Sequence, residues 1–374
     1  MAPTSQPKTW MRATKAATLE RRPDGAAEAL RVFRKELDLE QRLAVADEIA
    51  ETRGAELCRA YANVIDIGAG YRTRRDKKGR QRTGKEVAVT FHVSRKWKGD
   101  RDGKARDLIP KELFTYVSIK GRRKLCAVPT DVSDANDDGP AETEAPRRRV
   151  RVKPPSPLVS GNGSITCIIK RRERDNTVFA ISCRHVFSLS RRYHQRAYEA
   201  WPIRDFNNNS RIGTTRRIRG ALQNSPALSL DAQLCRVTDL AALREVMGNL
   251  RFAGVASSPS TLPASMRIVT SHGLIKVKAV GRFSRSLPYS HPSLRQVVHR
   301  TLIKTEFVRR GMATKKGDSG SPLVTPGPNP ILIGMHIARS KNGKYAYAIP
   351  AADFLNPNLY EGASAREKWR VVNP

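Results

Sequence analysis

The chain has 374 residues, a length that predicts two folded domains joined by linkers rather than one small core. Hydrophobic residues make up 39% of the sequence, which excludes a wholly disordered chain. The formal net charge of +34 would attract polyanions such as nucleic acid, an anionic membrane surface or an acidic protein. Because the charge is spread along the chain rather than confined to one patch, general basicity explains it equally well.

The N-terminal residues contain no apolar run, and no stretch approaches the roughly 18 apolar residues of a membrane helix. We therefore expect neither a signal peptide nor a membrane partner. The cysteines are few and odd in number, namely Cys58, Cys126, Cys167, Cys183 and Cys235. An odd count without a secretion signal predicts free thiols in a reducing compartment, and hence a cytoplasmic protein.

The first third of the chain predicts a small α+β domain. Residues 1–22 are polar and basic, typical of a flexible tail, and the domain is expected over 23–132. Helical spacing of apolar residues predicts a pair of amphipathic helices over 26–61, and strands follow with a long basic hairpin loop between Tyr71 and Gly84. The run Gly68-Ala69-Gly70 lacks the third glycine of a dinucleotide-binding fingerprint, so we interpret it as a strand irregularity.

A linker and an all-β region follow. Residues 133–157 join an acidic stretch, a basic run at 147–153 and several prolines, a composition typical of a solvated linker. Residues 158–357 consist of short β-rich runs separated by Gly, Pro and Asn, which predicts a sandwich or a pair of barrels. Residues 358–374 are expected to form a polar tail.

One serine has the surroundings of a nucleophile. A serine needs a base to take its proton and donors to hold the oxyanion that forms. In the run Gly317-Asp318-Ser319-Gly320-Ser321-Pro322 the glycines permit a tight turn, and such a turn can aim the amides of Gly317 and Ser319 at one point. The apolar strand that follows favours this interpretation over a plain turn.

Two further residues complete a pattern that neither carries alone. His185 follows the strand that ends at Ser182, where a single histidine is more often structural, and Asp231 opens an alternating strand, where an aspartate is usually a turn residue. Together with Ser319 they fall in the order His, Asp, Ser, each at the edge of a β segment. That order is the one found in proteases of the chymotrypsin type.

The run Gly317–Pro322 resembles the nucleophile motif of trypsin-like serine proteases, and Ile181–His185 resembles their Thr-Ala-x-His motif. Asp231–Val237 is similar to their Asp-x-Ala-Leu strand, so the resemblance covers about residues 158–357. It implies a mostly β protein with a chymotrypsin-like double β-barrel domain, of the bacterial intracellular type and without a cofactor. By this resemblance His185 is the general base, Asp231 orients it and Ser319 attacks, with Gly317 and Ser319 forming the oxyanion hole.

The same resemblance locates a substrate pocket. Ile331–Pro350 is similar to the strands that flank the primary specificity pocket, which assigns Ala313 and His336 to its lining. The residues 311–316 before the nucleophile include no acid. A pocket without a buried carboxylate cannot pair with a substrate Lys or Arg, so we expect small or apolar residues to be preferred.

Several residues depart from the family pattern. Ser182-Cys183-Arg184 replaces Thr-Ala-Ala or Thr-Ala-Gly before the histidine, Gln233 replaces an alanine, and Ser321 replaces a glycine. Cys183 lies two residues before His185, and we interpret it as a small buried thiol. No Cys or His pair has the spacing of a zinc site, so no metal is expected. His194 is expected at the surface.

The sequence therefore predicts a serine endopeptidase that acts on protein or peptide substrates through an acyl-enzyme intermediate. The region over 23–132 resembles the domain that precedes the protease in some bacterial trypsin-like proteins, and we expect it to regulate activity through an activating protein partner. The alternative is a basic nucleic-acid-binding or scaffold protein built on a protease fold, with little or no catalysis. Under that alternative the basic segments would bind nucleic acid without sequence preference.

Overall fold

The structure is a computed structural model in which the chain divides into two compact units, residues 1–137 and 138–374. It describes residues 24–61, 63–75, 81–93, 109–134, 141–143, 150–152, 161–171, 176–187, 202–205, 209–221, 229–248, 250–258, 262–287, 297–309, 312–315 and 317–373. The predicted N-terminal tail at 1–22 and His194 lie outside these residues.

The first unit begins with the expected pair of helices. Helix α1 spans Ala26–Arg31 and continues into one π-helical turn over Val32–Glu36, and helix α2 spans Leu39–Ala60. Asp38 starts α2 with a capping box, because its carboxylate accepts from the Gln41 N–H while the Gln41 side chain accepts from the Asp38 N–H. The buried residues of α2 are Leu43, Val45, Ala46, Ile49 and Leu57.

Four strands complete the first unit: β1 (Val64–Arg75), β2 (Gln81–Val93), β3 (Glu112–Ile119) and β4 (Arg122–Asp134). They lie in the order β1-β2-β4-β3, with β2 and β4 parallel and the other two pairs antiparallel. The predicted basic loop is shorter than expected, because the strands extend to Arg75 and resume at Gln81. Gly68–Gly70 pairs in continuous register, and the register shifts lie instead between Val64 and Asp66 and between Tyr71 and Thr73.

Within the described residues, the second unit is built from strands, three short α-helices and a 3₁₀ turn over Pro357–Leu359. Its strands are β5 (Ala141–Thr143), β6 (Val150–Val152), β7 (Gly161–Gly163), β8 (Cys167–Lys170), β9 (Val178–Ser182), β10 (Pro202–Asp205), β11 (Arg211–Gly220), β12 (Gln233–Val237), β13 (Gly254–Val255), β14 (Ser265–Thr270), β15 (Gly273–Leu287), β16 (Val297–Phe307), β17 (Pro322–Val324), β18 (Ile331–Ser340), β19 (Tyr345–Pro350), β20 (Tyr360–Glu361) and β21 (Arg370–Val372). The helices are α3 (Arg184–Phe187), α4 (Leu240–Met247) and α5 (Ala351–Phe354).

Six of these strands close into a barrel. Their order is β14-β17-β18-β19-β16-β15, and β15 pairs back with β14, every pairing being antiparallel. A second antiparallel sheet has the order β21-β8-β9-β12-β11-β10-β6-β7. The barrel, the additional sheet and the preceding helices confirm the mostly β class and the chymotrypsin-like architecture that the sequence predicted.

Segments predicted as linker and tail contribute strands to this unit. β5 and β6 fall within the expected linker 133–157, and β20 and β21 fall within the expected tail 358–374. The C-terminal segment is held by Tyr360, which is 6% exposed and packs against the Trp369 ring at 4.6 Å between centroids. It is held also by Glu367, which pairs with Arg171. Helix α4 was not predicted, although Asp239 caps its start and Gly248 ends it.

One apolar cluster fills the interior of the second unit, with members from both sheets such as Ile168, Leu234 and Met335. Among the helices described here, none is both long and apolar enough to cross a membrane.

Candidate active site

His185 is positioned by a single helical turn at the end of a strand. Strand β9 ends at Ser182, and helix α3 starts two residues later, with the Val186 and Phe187 N–H groups donating to the Cys183 carbonyl at 3.1 and 3.3 Å. Val186 and Phe187 are buried, so the turn is anchored on its apolar side. The small residues Ser182 and Cys183 end the strand, and the chain can then turn so that Val186 and Phe187 pack into the core.

Asp231 holds His185 with both carboxylate oxygens. The backbone N–H of His185 donates to Oδ1 at 3.0 Å, and His185 Nδ1 lies 2.5 Å from Oδ2. An ionised carboxylate only accepts hydrogen bonds, so the proton of a neutral His185 ring lies on Nδ1 and Nε2 is left as the basic nitrogen. The pair therefore sets the tautomer that a general base requires.

The charge of Asp231 is retained despite its complete burial. Burial by itself raises the pKa of this carboxyl group, but the charge of His185 and the hydrogen bond from its ring lower the pKa to about 2. Asp231 is thus an anion at neutral pH and stabilises a protonated His185.

A second buried histidine lies in the same region and was missed by the sequence analysis. His299 on β16 is 1% exposed, and its Nδ1 lies 3.1 Å from the Ser229 carbonyl oxygen, two residues before Asp231. Burial lowers the pKa of His299 to about 4, although the charge of Asp231 opposes this shift. His299 is therefore neutral at physiological pH. A histidine in a strand without a motif gives no sequence signal for this placement.

Ser319 lies in a tight turn that requires glycine on both sides. Gly317 and Gly320 have φ values of 101° and 89°, in the left-handed region that other residues rarely adopt. The Ser321 N–H donates to the Asp318 carbonyl at 2.9 Å and closes the turn. The Ser319 hydroxyl donates to the carbonyl oxygen of Ile337 on β18 at 3.3 Å, and the residue is fully buried in this structure.

The serine turn is tied to the segment between β7 and β8. Ser164 donates from its N–H to the Ser319 carbonyl at 2.7 Å and from its hydroxyl to the Gly317 carbonyl at 3.2 Å. The Thr166 hydroxyl donates to the Gly320 carbonyl at 2.7 Å. A Cβ at Gly320 would overlap the Ser164 carbonyl oxygen, so this glycine is required by close approach as well as by its φ angle.

The histidine and serine segments meet at shared contacts. A Cβ on Gly163 would lie 2.5 Å from Val186 Cγ2, next to His185, and 2.9 Å from the Ser319 carbonyl oxygen. The carbonyl oxygen of His336 accepts from the Gly320 N–H at 2.8 Å and from the Cys183 thiol at 3.6 Å. The structure thus brings together the three segments that carry His185, Asp231 and Ser319.

Asp318, directly before the serine, is paired with a residue that the sequence analysis did not identify. Its Oδ2 lies 2.8 Å from His272 Nε2 and accepts from the Lys315 N–H at 2.7 Å. The Asp318 N–H donates in turn to the Lys315 carbonyl at 3.0 Å. His272 lies in the turn between β14 and β15, where a single histidine beside Ser271 and Gly273 carries no recognisable pattern.

Cys183 is the one thiol near these groups, within the part of the chain that the structure describes. Its Sγ and one donor atom each of His185 and Asp231 all lie within 4.8 Å of one another, a spacing that could also hold a metal ion. These donors are engaged with protein groups, because Asp231 is bonded to His185 and the thiol donates to the His336 carbonyl. Burial raises the pKa of the Cys183 thiol well above its usual range, which disfavours the thiolate that a metal or a nucleophile needs.

Of the predicted pocket residues, Ala313 precedes the serine turn in the chain and His336 contacts that turn from β18, and the two differ in exposure. Ala313 is half-buried, whereas His336 is fully buried and unexposed. The carbonyl oxygen of the neighbouring Thr314 accepts from Arg339 Nη1 at 2.6 Å, so a guanidinium group from β18 lies beside this segment. Residues 310–311 and 316 lie outside the described residues.

No family model and no curated protein matches this sequence. A solved structure of protease A from Thermobifida fusca is similar with a TM-score of 0.36 and 12% identity, over 59% of this chain and 96% of that one. The NS6 protease from murine norovirus 1 is similar with a TM-score of 0.26 and 16% identity, over 46% of this chain and 80% of that one. The fold assignment rests on the strand pairings of this chain.

Proposed function

We propose that the chain is a serine endopeptidase in which Ser319 attacks the substrate, His185 is the general base and Asp231 orients His185. The observation that carries this proposal is the double hydrogen bond between His185 and Asp231, which leaves Nε2 as the basic nitrogen. Although burial raises it, the charge and hydrogen bond of His185 lower the pKa of Asp231 to about 2, so this carboxylate is ionised. It can stabilise the imidazolium that forms when His185 takes the proton of a serine.

The reaction begins when the Ser319 hydroxyl turns from the Ile337 carbonyl to His185 Nε2 and transfers its proton there. The serine oxygen bonds to the carbonyl carbon of the substrate, and the carbonyl oxygen takes the negative charge. The amides of Gly317 and Ser319 are the proposed donors to this oxyanion, while the amide of Asp318 between them is committed to Lys315.

His185 then donates its proton to the leaving amine as the carbon–nitrogen bond breaks, which leaves an acyl group on Ser319. A water molecule gives a proton to His185 and attacks the acyl carbon, and the acid product leaves as Ser319 recovers its proton. The ionised Asp231 stabilises the imidazolium in both halves of the cycle. No metal or cofactor is assigned a role in these steps.

Serine rather than cysteine is proposed as the nucleophile. Cys183 is fully buried, its thiol donates to a carbonyl, and burial raises its pKa. A thiolate at this position would also lie beside the anionic Asp231. Ser319 instead lies in a turn with two left-handed glycines, and the amides of Gly317 and Ser319 are the proposed donors to the oxyanion.

Ser319 is fully buried in this structure, so substrate can reach its hydroxyl only after a local rearrangement. This supports the further proposal that an activating protein, acting through the N-terminal unit, raises a basal activity that a small probe already detects. Protein or peptide is the proposed substrate.

A fluorophosphonate probe tests the proposal, because it reacts only with an activated serine. The wild type should be labelled at Ser319, the Ser319→Ala variant should not be labelled, and Cys183→Ala should be labelled like the wild type. If wild type and Ser319→Ala behave alike in a folded protein, the endopeptidase proposal fails and the alternative of a basic nucleic-acid-binding or scaffold protein is favoured. Loss of labelling in a folded Cys183→Ala variant would show that the reactivity of Ser319 depends on this thiol.

A further inference from the structure

A charged side chain is buried beside the proposed general base. Arg184 occupies the first position of helix α3, directly before His185, and is only 6% exposed. Its Nη1 donates to the carbonyl oxygen of Gly220, the last residue of β11, at 2.6 Å. Related motifs have alanine or glycine here, so an arginine has no role in the pattern that identified the site. A guanidinium withdrawn from water is costly unless its hydrogen bonds compensate, which indicates a defined task.

The acceptor of Arg184 lies against the segment that carries Asp231. The Gly220 N–H donates to the Ala232 carbonyl, and the Leu230 N–H donates to the Ala221 carbonyl, both at 2.8 Å. The end of β11 therefore binds the residue before Asp231 and the residue after it. A Cβ at Gly220 would overlap the Leu230 carbonyl oxygen, which shows how closely the two backbones approach.

These bonds close a circuit. His185 is bonded to Asp231, Asp231 is fixed through its chain neighbours to Gly220 and Ala221, and Gly220 is bonded to Arg184, which is covalently joined to His185. Helix α3, which carries His185, is thus connected to the segment of Asp231 directly by the His185–Asp231 bonds and indirectly by Arg184 through Gly220. Strands β9 and β12 also pair next to this site, so Arg184 adds a side-chain connection to a backbone one.

We propose that Arg184 is a positioning residue for the proposed catalytic machinery, which fixes the distance and angle of the His185–Asp231 hydrogen bonds through Gly220. This inference rests on the proposed endopeptidase function only for its kinetic consequence. Arg184 does not touch the reacting atoms, so its effect acts through the orientation of His185. Misplacement of a catalytic base by a fraction of an ångström slows the chemical steps and leaves substrate binding unchanged.

Two variants of Arg184 and one matched control test the proposal. Arg184→Met removes the donor and keeps the length of the side chain, and Arg184→Lys keeps a charge and a donor without the planar guanidinium. Arg171→Met is the control, because Arg171 is an ion-paired arginine of the same unit, bonded to Glu367 and stacked on Phe179. Its loss should cost stability without changing the circuit.

The first readout is the proton NMR signal of the His185 Nδ1 proton, because a proton in a short nitrogen–carboxylate hydrogen bond resonates far downfield. The wild type, Arg184→Met, Arg184→Lys and Arg171→Met are compared, and the signal is assigned by its loss in His185→Ala. We expect the signal to move upfield or broaden in Arg184→Met, to shift less in Arg184→Lys, and to stay unchanged in Arg171→Met. This readout needs no hydrolysis.

The second readout is the hydrolysis of a peptide substrate. We expect kcat to fall on the order of 100-fold in Arg184→Met with KM unchanged, and less in Arg184→Lys, while Arg171→Met stays near wild type. A folded Arg184→Met variant with wild-type kcat and an unmoved proton signal would overturn the proposal. Equal losses in Arg184→Met and Arg171→Met would overturn it too, since the role would then be structural only.

If Arg184→Met does not fold, Arg184→Lys decides, and an unmoved signal in that variant overturns the inference. If the wild type shows neither hydrolysis nor probe labelling, the endopeptidase proposal fails. The inference about Arg184 is then still tested, because the NMR comparison measures whether Arg184 positions His185.

Discussion

The Asp318 carboxylate and the His272 imidazole lie 2.8 Å apart, immediately before the proposed nucleophile in the chain. The Asp318 side chain is 2% exposed and the His272 side chain is 28% exposed, so a surface histidine holds a buried acid. The residue next to Ser319 is therefore held by a side chain from the turn between β14 and β15.

We expect His272→Ala to lower both stability and reactivity. Asp318 would keep the Lys315 N–H but lose its side-chain partner, and a buried acid that loses a hydrogen bond costs about 1–3 kcal/mol. His272→Asn, which can still donate to Asp318, should lose less. Urea unfolding and the rate of fluorophosphonate labelling measure the two effects. A His272→Ala variant that labels at the wild-type rate would show that the turn holds its shape unaided.

The role of Asp231 is tested by Asp231→Asn. The amide keeps the shape of the side chain but cannot stabilise the imidazolium and favours the wrong histidine tautomer, so kcat should fall by about 10⁴-fold with the fold intact. Asp239→Ala is the control, because Asp239 caps helix α4 by accepting from the Ala242 N–H. Its loss should cost about 1 kcal/mol of stability and leave hydrolysis unchanged. Full activity in Asp231→Asn would mean that another carboxylate, such as Asp205, orients His185.

His299 should make the folded protein sensitive to acid. Its pKa is lowered to about 4 in the folded state from an ordinary value of 6.5, so the unfolded chain takes up a proton first as the pH falls. Above pH 6.5 the unfolding free energy is unaffected by this titration. Between pH 6.5 and pH 4 it falls by about 3 kcal/mol, because the unfolded chain binds a proton that the folded His299 does not. In His299→Asn, which keeps a donor towards the Ser229 carbonyl, the unfolding free energy should fall less over this range. Parallel urea titrations from pH 7 to pH 4 compare the two proteins, and identical slopes would contradict the prediction.

The preference for substrate side chains follows from charge. No acid lies among residues 312–315, and the Arg339 guanidinium lies beside Thr314, so a substrate Lys or Arg would meet a cation rather than a partner. We therefore expect cleavage after small or apolar residues. Mass spectrometry of a digested peptide library measures the preference, and strong cleavage after Arg would refute it.

The excess of positive charge gives a prediction for nucleic acid. If it is functional, the segments Arg72–Lys85 and Arg147–Lys153 should bind DNA or RNA regardless of sequence, with affinity that falls steeply as salt rises. Part of both segments lies outside the described residues, while Val150–Val152 forms a strand. Replacing Arg147, Arg148, Arg149, Arg151 and Lys153 by Gln should reduce the slope of log K against log salt and leave peptide hydrolysis unchanged. Titration of labelled oligonucleotides at two salt concentrations measures this, and no binding at physiological salt would identify the run as a solvated tether.

Sequence reasoning was strongest where local pattern and long-range structure agree. Strand β9 and the tight serine turn can be predicted locally, because β-branched residues favour strands and flanking glycines permit tight turns. His272, His299 and Arg339 have no such local signature, since each reaches the site through one side chain from a turn or strand that is distant in the sequence. The C-terminal segment was taken for a tail because it is polar, whereas Tyr360 and Trp369 fix it through a tertiary contact that polarity alone does not reveal.

The bonds that join Ser164 and Thr166 to the serine turn have a consequence for how the protein is inactivated. They link the segment between β7 and β8 to the backbone of the serine turn before β17. Separating the second sheet from the barrel would therefore break these bonds and change the conformation around Ser319. On heating, the loss of probe reactivity should therefore coincide with the separation of the second sheet from the barrel rather than precede it. The reactivity of Ser319 therefore reports whether the barrel and the second sheet are in contact. If the chain were cut between them, reactivity would return only when the two fragments reassociate through these hydrogen bonds.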